Sequence, residues 1–328
     1  MKAVVIPHAG APWCIKELPY LQPKSGQVCI KVHACGLCGT DIHILHGRMP
    51  TPYPCGLGHE TVGEITEIGP GVTHLRVGDR VGVSWVQRGC GRCRFCQSLS
   101  PQYCQHCQTW KEIGGGLSEY TLAWADGCTL LPDDLPYDKA APLFCAGFTV
   151  ASGLHNSGAR PGQTVGVLGI GGLGHLAIQY AKAKGHRVIA ITTDPKKQLL
   201  ARSIGADEAI LAPEELPDLE GIDVFLHTSS DNRLIPQLLP SMNPEGKIVL
   251  MGIGPTPLTF SSFDLIPKQL SLIGSTQHHR SSLVDIIELT AKGKVIPMVE
   301  TFAFENLSHA LERLEKGLVR FRAVITME

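Results

Sequence analysis

Cysteine and histidine residues near the start of the chain have types and spacing that suit metal chemistry. Cys38 is followed twenty-one positions later by His59, and Cys145 precedes a glycine-rich stretch where a loop could return. A thiolate and an imidazole suit a borderline-soft ion such as Zn²⁺. A site with three protein ligands leaves the fourth position open for water or substrate. Cys38, His59 and, as the natural third ligand, Cys145 therefore predict a catalytic metal site.

Four further cysteines lie within fifteen residues of one another: Cys90, Cys93, Cys96 and Cys104. Four thiolates at this spacing can surround a tetrahedral ion and leave no open position, which is typical of a structural site. An iron–sulfur cluster also uses four thiolates, but the compact spacing beside a separate Cys/His site favours zinc. Cys107, three residues after Cys104, is a rival fourth ligand that the sequence leaves open.

The same cysteine loop is locally basic, because Arg88, Arg92 and Arg94 lie in it. A zinc ribbon that binds nucleic acid is therefore the main alternative use of the cluster. The formal net charge of the whole chain is −1, so nothing draws its surface toward nucleic-acid phosphates or an anionic membrane. We expect a small-molecule ligand, with neither a nucleic-acid nor a membrane partner.

A glycine-rich turn in the second half of the chain fits the pattern G-x-G-x-x-G. Its residues are Gly169, Ile170, Gly171, Gly172, Leu173 and Gly174. An apolar strand at 163–168 precedes it, and a helix at 175–184 and a second strand at 187–191 follow. The glycines permit a tight turn and close approach of the backbone to a pyrophosphate, and the helix N-terminus offers free N–H groups to the anion. In this context the motif predicts dinucleotide binding.

The elements that position these residues fall into two domains, as a length of 328 residues suggests. Alternating polar and apolar residues predict short strands at 27–34, 63–69 and 77–83, hence a β-rich first domain. Beyond residue 150, strands alternate with helices, which is typical of a doubly wound parallel sheet. Its further strands are predicted at 222–226, 246–252 and 270–274, and helices at 196–204 and 234–239.

The last forty residues return to short strands around a helix at 306–316, and end in a strand at 321–325. We assign them to the first domain. The predicted boundaries are therefore 1–150 for a β-rich catalytic domain with a zinc loop at about 88–108, 151–287 for the dinucleotide-binding domain, and 288–328 for the return to the catalytic domain.

The composition and the distribution of apolar residues indicate the class of protein and its cellular location. Hydrophobic residues make up 43% of the chain, with 36 glycines and 23 prolines, as in a turn-rich globular protein. The N-terminal apolar run is too short for a signal peptide, and no run of about 18 apolar residues predicts a membrane helix. We expect a cytoplasmic protein, in which the 12 cysteines ligate metal or are buried rather than form disulfides.

Taken in order, these motifs resemble the zinc-dependent alcohol dehydrogenases of the medium-chain dehydrogenase/reductase superfamily, nearly from end to end. The resemblance implies an α/β fold, with a Rossmann doubly wound parallel sheet and a GroES-like β-rich catalytic domain. It implies a catalytic zinc on Cys38, His59 and Cys145, with Glu60 able to approach the metal. A second, structural zinc is implied at the following residues: Cys90, Cys93, Cys96 and Cys104.

Other site residues follow from the same resemblance. Asp41 would accept a hydrogen bond from the ring of His59 and fix its tautomer. Thr40 and His43 would relay the substrate proton. Trp85, just before the cysteine cluster, would line the substrate pocket, although packing in the lobe is an alternative.

The choice of cofactor depends on the end of the second Rossmann strand, where an NAD-binding domain carries an acidic residue. This chain has Thr192 there. Thr192 and Thr193 could bond a 2′-phosphate, with Lys196 or Lys197 supplying positive charge, as in the cinnamyl-alcohol-dehydrogenase-like branch of the family. Asp194 could instead turn toward the ribose. We therefore expect NADP, with NAD as the alternative.

The function implied is reversible hydride transfer between a primary alcohol, or its aldehyde, and NAD(P). One alternative is a zinc-dependent secondary-alcohol or polyol dehydrogenase that uses NAD. Another is a catalytically inactive zinc- and nucleotide-binding structural or sensor protein, although no ligand or relay residue is damaged. The resemblance also implies a homodimer or homotetramer, paired through a late strand at 270–274.

A few remaining residues have no motif to assign them. His175, His278 and His279 are expected to be packing or surface residues. Arg320 and Arg322 either reach a cofactor phosphate from the returning segment or form a surface pair.

Overall fold

The computed structural model describes residues 1–112 and 114–327, which form two compact units. The first comprises Met1–Cys145 and Pro297–Glu328, and the second is Ala146–Ile296. The boundaries expected from the sequence, 150/151 and 287/288, both fall inside helices, at Ala146–Ser157 and Arg280–Ala291. A continuous helix packs its buried face against a single core. The observed boundaries accordingly lie at the start of the first of these helices and beyond the end of the second.

The first unit is built mainly of strands. Its N-terminal segment contains β1 (Lys2–Val5), β2 (Cys14–Glu17), β3 (Gln27–Leu37), β4 (Glu60–Ile68), β5 (Arg80–Val83), β6 (Val86–Arg88), β7 (Gln108–Thr109), β8 (Tyr120–Trp124) and β9 (Cys128–Leu130). Three short helices accompany them: α1 (Gly39–Leu45), α2 (Arg94–Gln97) and α3 (Tyr137–Ala140).

The second unit alternates strands and helices along the chain. Its strands are β10 (Thr164–Leu168), β11 (Arg187–Thr192), β12 (Glu208–Leu211), β13 (Ile222–His227), β14 (Met242–Leu250) and β15 (Ser271–Gly274). Its helices are α4 (Ala146–Ser157), α5 (Gly174–Ala183), α6 (Pro195–Ser203), α7 (Ile235–Leu238), α8 (Ser262–Leu265) and α9 (Arg280–Ala291). The chain then returns to the first unit with β16 (Val299–Ala303), α10 (Leu307–Glu315) and β17 (Arg322–Thr326).

The main sheet of the first unit has the strand order β16-β17-β3-β4-β5-β9, and β8 also pairs with β3. Strand β3 is antiparallel to β17 on one side and to β4 on the other. Strand β3 is central in the sheet, and nearly all its side chains are buried. Its burial pattern is therefore that of a strand covered on both faces rather than that of a strand with alternating buried and exposed residues. The adjoining core contains these buried residues: Val28, Ile30, Leu37, Ile65, Val81, Phe304 and Leu311.

The sheet of the second unit is parallel throughout, in the order β12-β11-β10-β13-β14-β15. All five residues of β10 are buried, as expected for the centre of a sheet covered on both faces. The predicted α/β fold class is confirmed. In this unit the sequence analysis missed β12 and the helices α4, α8 and α9. In the part of the chain that the structure describes, no helix has the length and apolarity needed to cross a bilayer.

Candidate active site

Cys38, His59 and Cys145 converge at one end of β3 and β4 in the first unit. Cys38 lies between β3 and α1, and His59 immediately precedes β4. The Cys38 Sγ is 3.3 Å from His59 Nε2 and 3.9 Å from Cys145 Sγ. These three ligand atoms and a Glu60 carboxylate oxygen all lie within 4.8 Å of one another. Two thiols and an imidazole form a donor set that fits zinc.

Asp41 is fully buried and organises the loop that carries these ligands. Its Oδ2 accepts from the backbone N–H of Cys38 at 2.9 Å, and its Oδ1 accepts from that of Gly58 at 3.2 Å. The same Oδ1 is 3.3 Å from His59 Nδ1, although the two atoms do not meet hydrogen-bond geometry. Asp41 thus fixes the backbone beside both ligands and places a negative charge next to the imidazole.

The buried charges at the site shift the pKa values of its groups. Burial opposes protonation of His59, but the charges of Asp41 and Cys38 outweigh this effect and raise the pKa of the imidazole well above its usual value. A hydrogen bond from Cys145 holds the pKa of the Cys38 thiol well below its usual value, despite burial. The electrostatics of the pocket therefore favour a thiolate at Cys38, the form that binds metal.

Glu60 pairs with an arginine from the C-terminal strand. An oxygen of its carboxylate contacts Nη2 of Arg322 on β17, and the two side chains are 0% and 5% exposed. Burial raises the pKa of Glu60 to about 7, although Arg322 opposes this shift. The expectation that Arg322 is a surface residue or a cofactor-phosphate ligand is wrong, because strand pairing buries it against Glu60. Arg320, by contrast, is exposed.

Two tryptophans pack against the ring of His59. The ring of Trp85 lies 5.2 Å from it, edge to face, and that of Trp110 lies 5.8 Å away. The two indoles also contact each other at 5.6 Å. Trp110 is only 2% exposed and was missed by the sequence analysis, since it lies in a single 3₁₀ turn too short to show a sequence periodicity. Together the indoles form an aromatic wall beside the metal ligand.

The proposed relay residues Thr40 and His43 both lie on α1, three positions apart. Residues at this spacing share one face of a helix. Both are half-buried, so this face extends from the neighbourhood of Cys38 toward solvent.

The second cysteine group converges as well. The thiols of Cys90, Cys93, Cys96 and Cys104 all lie within 4.8 Å of one another. Backbone amides of Arg92 and Cys93 donate to Cys90 and lower the pKa of its thiol to about 6. Cys107 directs its thiol to the carbonyl of Gln108 at 3.7 Å instead. The geometry therefore favours Cys104 over Cys107 as the fourth ligand.

The glycine-rich turn joins β10 to α5 in the second unit and lines a cavity of about 320 Å³. Gly169 has φ of +90°, a conformation that other residues rarely adopt. A side chain at Gly174 would overlap the carbonyl oxygen of Gly169, whereas one at Gly171 would meet only open space. Gly172 and Leu173 complete the turn, and Leu173 is the residue before α5. The turn thus keeps a bare backbone against the cavity.

The end of β11, the turn after it and the first turn of α6 line the same cavity, with Thr192, Thr193, Asp194 and Lys197. Lys196 is exposed and is not part of the lining. Thr192 Oγ1 accepts from the backbone N–H of Asp194 at 3.2 Å. The Asp194 carboxylate caps α6, accepting from the N–H of Lys196 at 2.9 Å.

Three histidines of the second unit pack as expected. His175 is fully buried, with Nδ1 3.0 Å from the carbonyl of Gly171. The rings of His278 and His279 lie 3.7 Å apart.

Comparisons with known proteins cover the whole chain. Residues 24–133 match the family described as the alcohol dehydrogenase GroES-like domain, and residues 172–292 match the zinc-binding dehydrogenase family. An alcohol dehydrogenase of Geobacillus stearothermophilus is 36% identical over 337 residues, which cover 100% of both chains. One from Rhizobium meliloti (strain 1021) is 37% identical over 336 residues, 100% of this chain and 99% of its own. The solved structure of a cinnamyl alcohol dehydrogenase from Sorghum bicolor has a TM-score of 0.90 and 30% identity, covering 99% of this chain and 97% of its own.

Proposed function

The chain belongs to the zinc-dependent alcohol dehydrogenases of the medium-chain dehydrogenase/reductase superfamily, and from this premise we propose that it interconverts a primary alcohol and its aldehyde with NADP. The observation that carries the proposal is the convergence of Cys38, His59 and Cys145 beside a buried Asp41. No ligand of this set is replaced, which argues against a non-catalytic role.

In the proposed mechanism, Cys38, His59 and Cys145 would hold the catalytic zinc through two sulfurs and one nitrogen. A zinc ion held there would supply a Lewis acid, able to lower the pKa of an alcohol hydroxyl and to polarise an aldehyde carbonyl. Asp41 fixes the loop and the charge state of His59, as carboxylates beside metal-bound histidines do. Arg322 holds the Glu60 carboxylate beside the ligands.

The substrate proton leaves along α1. Thr40 accepts the alcohol proton on its hydroxyl and donates its own to His43, which exchanges it with solvent. The half-buried positions of both side chains on one helix face support this route, since a relay must reach from the site to water. The aromatic wall of Trp85 and Trp110 excludes water from the site and shapes the substrate pocket.

NADP is the proposed cofactor: the glycine-rich turn would hold it, and it would supply the hydride acceptor for the alcohol. Gly169, Gly171, Gly172, Leu173 and Gly174 let the pyrophosphate approach the N-terminus of α5. Thr192 leaves room for a 2′-phosphate where an acidic residue would repel it, and Asp194 is engaged in capping α6. The Thr193 hydroxyl donates a hydrogen bond to the 2′-phosphate, and Lys197, which lines the same cavity, supplies the positive charge.

The second zinc, on Cys90, Cys93, Cys96 and Cys104, is structural, because all four positions of a tetrahedral ion are taken by thiolates.

We also propose that two chains pair through β15, the edge strand of the parallel sheet. The neighbouring Phe263 and Ile266 are 84% and 70% exposed, which favours a covered interface. Light scattering of the purified protein would give the mass of the assembly and so test whether chains pair.

The test is the initial rate of NADPH oxidation, and separately NADH oxidation, with aliphatic and aromatic aldehydes, before and after treatment with a zinc chelator. We expect a chelator-sensitive rate that prefers NADPH, and two zinc ions per chain by atomic absorption. A preference for NADH would overturn the assignment of NADP but keep the zinc chemistry. If parallel assays show reduction of ketones, or oxidation of polyols with NAD+, and no turnover of aldehydes, a secondary-alcohol or polyol dehydrogenase is favoured instead.

A further inference from the structure

One cation lies beside the aromatic wall of Trp85 and Trp110 and has no part in the proposed chemistry. Lys111 follows Trp110 in the 3₁₀ turn after β7, and its ammonium lies 5.8 Å from the centre of the Trp85 ring. Its Nζ donates to the carbonyl oxygen of Pro50 at 2.6 Å. A cation at this distance from an indole interacts with its ring, so Lys111 is held at the wall from two sides.

Lys111 makes no ion pair among the residues that the structure describes. The neighbouring carboxylate of Glu112 is engaged elsewhere, accepting from the N–H and the hydroxyl of Thr109 at 2.6 and 2.8 Å. Partial burial lowers the pKa of the ammonium, as expected for a cation without a counter-charge in contact. A half-buried cation of this kind attracts anions more strongly than a solvated surface lysine.

A second donor at the wall also lacks a partner. The indole Nε1 of Trp110 is buried and has no hydrogen-bond acceptor within the described part of the chain. Buried indole N–H groups usually find an acceptor, and an unpaired one calls for a ligand or water. The wall beside His59 therefore offers two donors, one of them charged, and both suit an acceptor-rich ligand.

The distance between the Lys111 ammonium and the His59 ring limits the length of a molecule that could contact both Lys111 and the metal site. The Trp85 ring centre is 5.8 Å from the Lys111 ammonium and 5.2 Å from the His59 ring centre, so the ammonium lies no more than 11.0 Å from that ring. A ligand that reaches from Lys111 to the metal ligands therefore needs a spacer of no more than moderate length, such as one benzene ring or a short alkyl chain.

We propose that Lys111 is a specificity-determining residue that selects alcohols and aldehydes carrying a carboxylate at the end remote from the reacting carbon. The inference rests on the proposed function, since it concerns the substrate of the same site. The carboxylate accepts a charge-assisted hydrogen bond from Lys111, and Trp110 donates to a substrate oxygen.

The experiment compares two probes that differ in charge, 4-carboxybenzaldehyde and its methyl ester, with zinc-loaded enzyme. In Lys111→Met we expect kcat/KM for the acid to fall roughly tenfold, the size typical of one hydrogen bond to a charged group, and that for the ester to change by less than about twofold. Lys111→Arg should retain the preference for the acid. Lys16→Met, which removes an exposed lysine on β2, is the matched control and should change neither rate.

Equal losses for acid and ester in Lys111→Met would overturn the inference, since a purely structural role of Lys111 affects both probes alike. A wild-type enzyme that reduces the ester as well as the acid would overturn it while leaving the proposed function intact. Binding gives a readout independent of turnover: the Kd of 4-(hydroxymethyl)benzoate, measured by calorimetry, should rise roughly tenfold in Lys111→Met. An unchanged Kd contradicts the inference whether or not either aldehyde is reduced, whereas the proposed function fails only if no aldehyde of the wider aliphatic and aromatic panel is reduced.

Discussion

Replacing Arg322 with methionine is expected to destabilise the first unit by about 3 kcal/mol. Breaking a buried ion pair by removing one partner costs about 3–5 kcal/mol, because the remaining charge is left buried without compensation. Both side chains here are at least 95% buried. The pair is not fully hydrogen-bonded, since Glu60 Oε2 and Arg322 Nε have no partner among the described residues. The lower end of the range therefore applies.

Tryptophan fluorescence can follow unfolding of this unit alone, because all four tryptophans belong to it: Trp13, Trp85, Trp110 and Trp124. For a unit of this size, 3 kcal/mol corresponds to a fall in Tm of about 6–12 °C. The matched control is Arg76→Met, which removes an exposed arginine and should leave Tm within about 2 °C of wild type.

A double variant distinguishes the ion pair from simple loss of packing. Glu60→Gln combined with Arg322→Met replaces both charges, so it should be more stable than Arg322→Met alone, with a coupling energy of at least about 1 kcal/mol. The reasoning is refuted if Arg322→Met unfolds within about 0.5 kcal/mol of wild type, or if the effects of the two single changes simply add.

Three other outcomes are expected. Cys93→Ala should remove one zinc equivalent by atomic absorption and lower Tm before it affects the catalytic metal; a folded variant with unchanged zinc content would refute a structural site there. Thr192→Asp should shift the preference in kcat/KM from NADPH toward NADH by at least about tenfold, because a carboxylate repels the 2′-phosphate; unchanged selectivity would show that Lys197 or another group decides it. Gly174→Ala places a methyl group against the Gly169 carbonyl, so NADPH should bind at least about tenfold more weakly by fluorescence titration, with zinc content unchanged. Wild-type affinity in this variant would mean that the turn can relax.

The sequence predicted the parts of the molecule whose geometry is local. The glycine-rich turn and the Cys90–Cys104 cluster each lie within fifteen residues, so spacing alone constrains them. The convergence of Cys38, His59 and Cys145 was inferred from their donor types and from the family pattern, since no local rule brings residues so far apart together.

The contacts that depend on long-range strand pairing could not be read from the sequence. Arg322 meets Glu60 only because β17 and β4 both flank β3, with Gly36 of β3 opposite both Val324 and Glu60. Gly36 also leaves the space that the Glu60 carboxylate occupies. Trp110 was missed for a related reason: the loop that carries it has no periodicity, and tertiary packing alone puts it against His59.

The position of β17 inside the main sheet has a consequence for the order of events on the ribosome. The second unit is contiguous, so it can fold as soon as it has emerged, whereas the first unit must wait for residues 322–326 to complete the pairing with β3. Domains usually fold from the N-terminus as synthesis proceeds, and here that order is reversed. During that interval the edge of β3 is exposed and Glu60 has no counter-charge. We therefore expect a nascent chain arrested before β17 to bind zinc at the cysteine cluster but not yet at Cys38. We also expect this arrested chain to depend on chaperones more than any later intermediate.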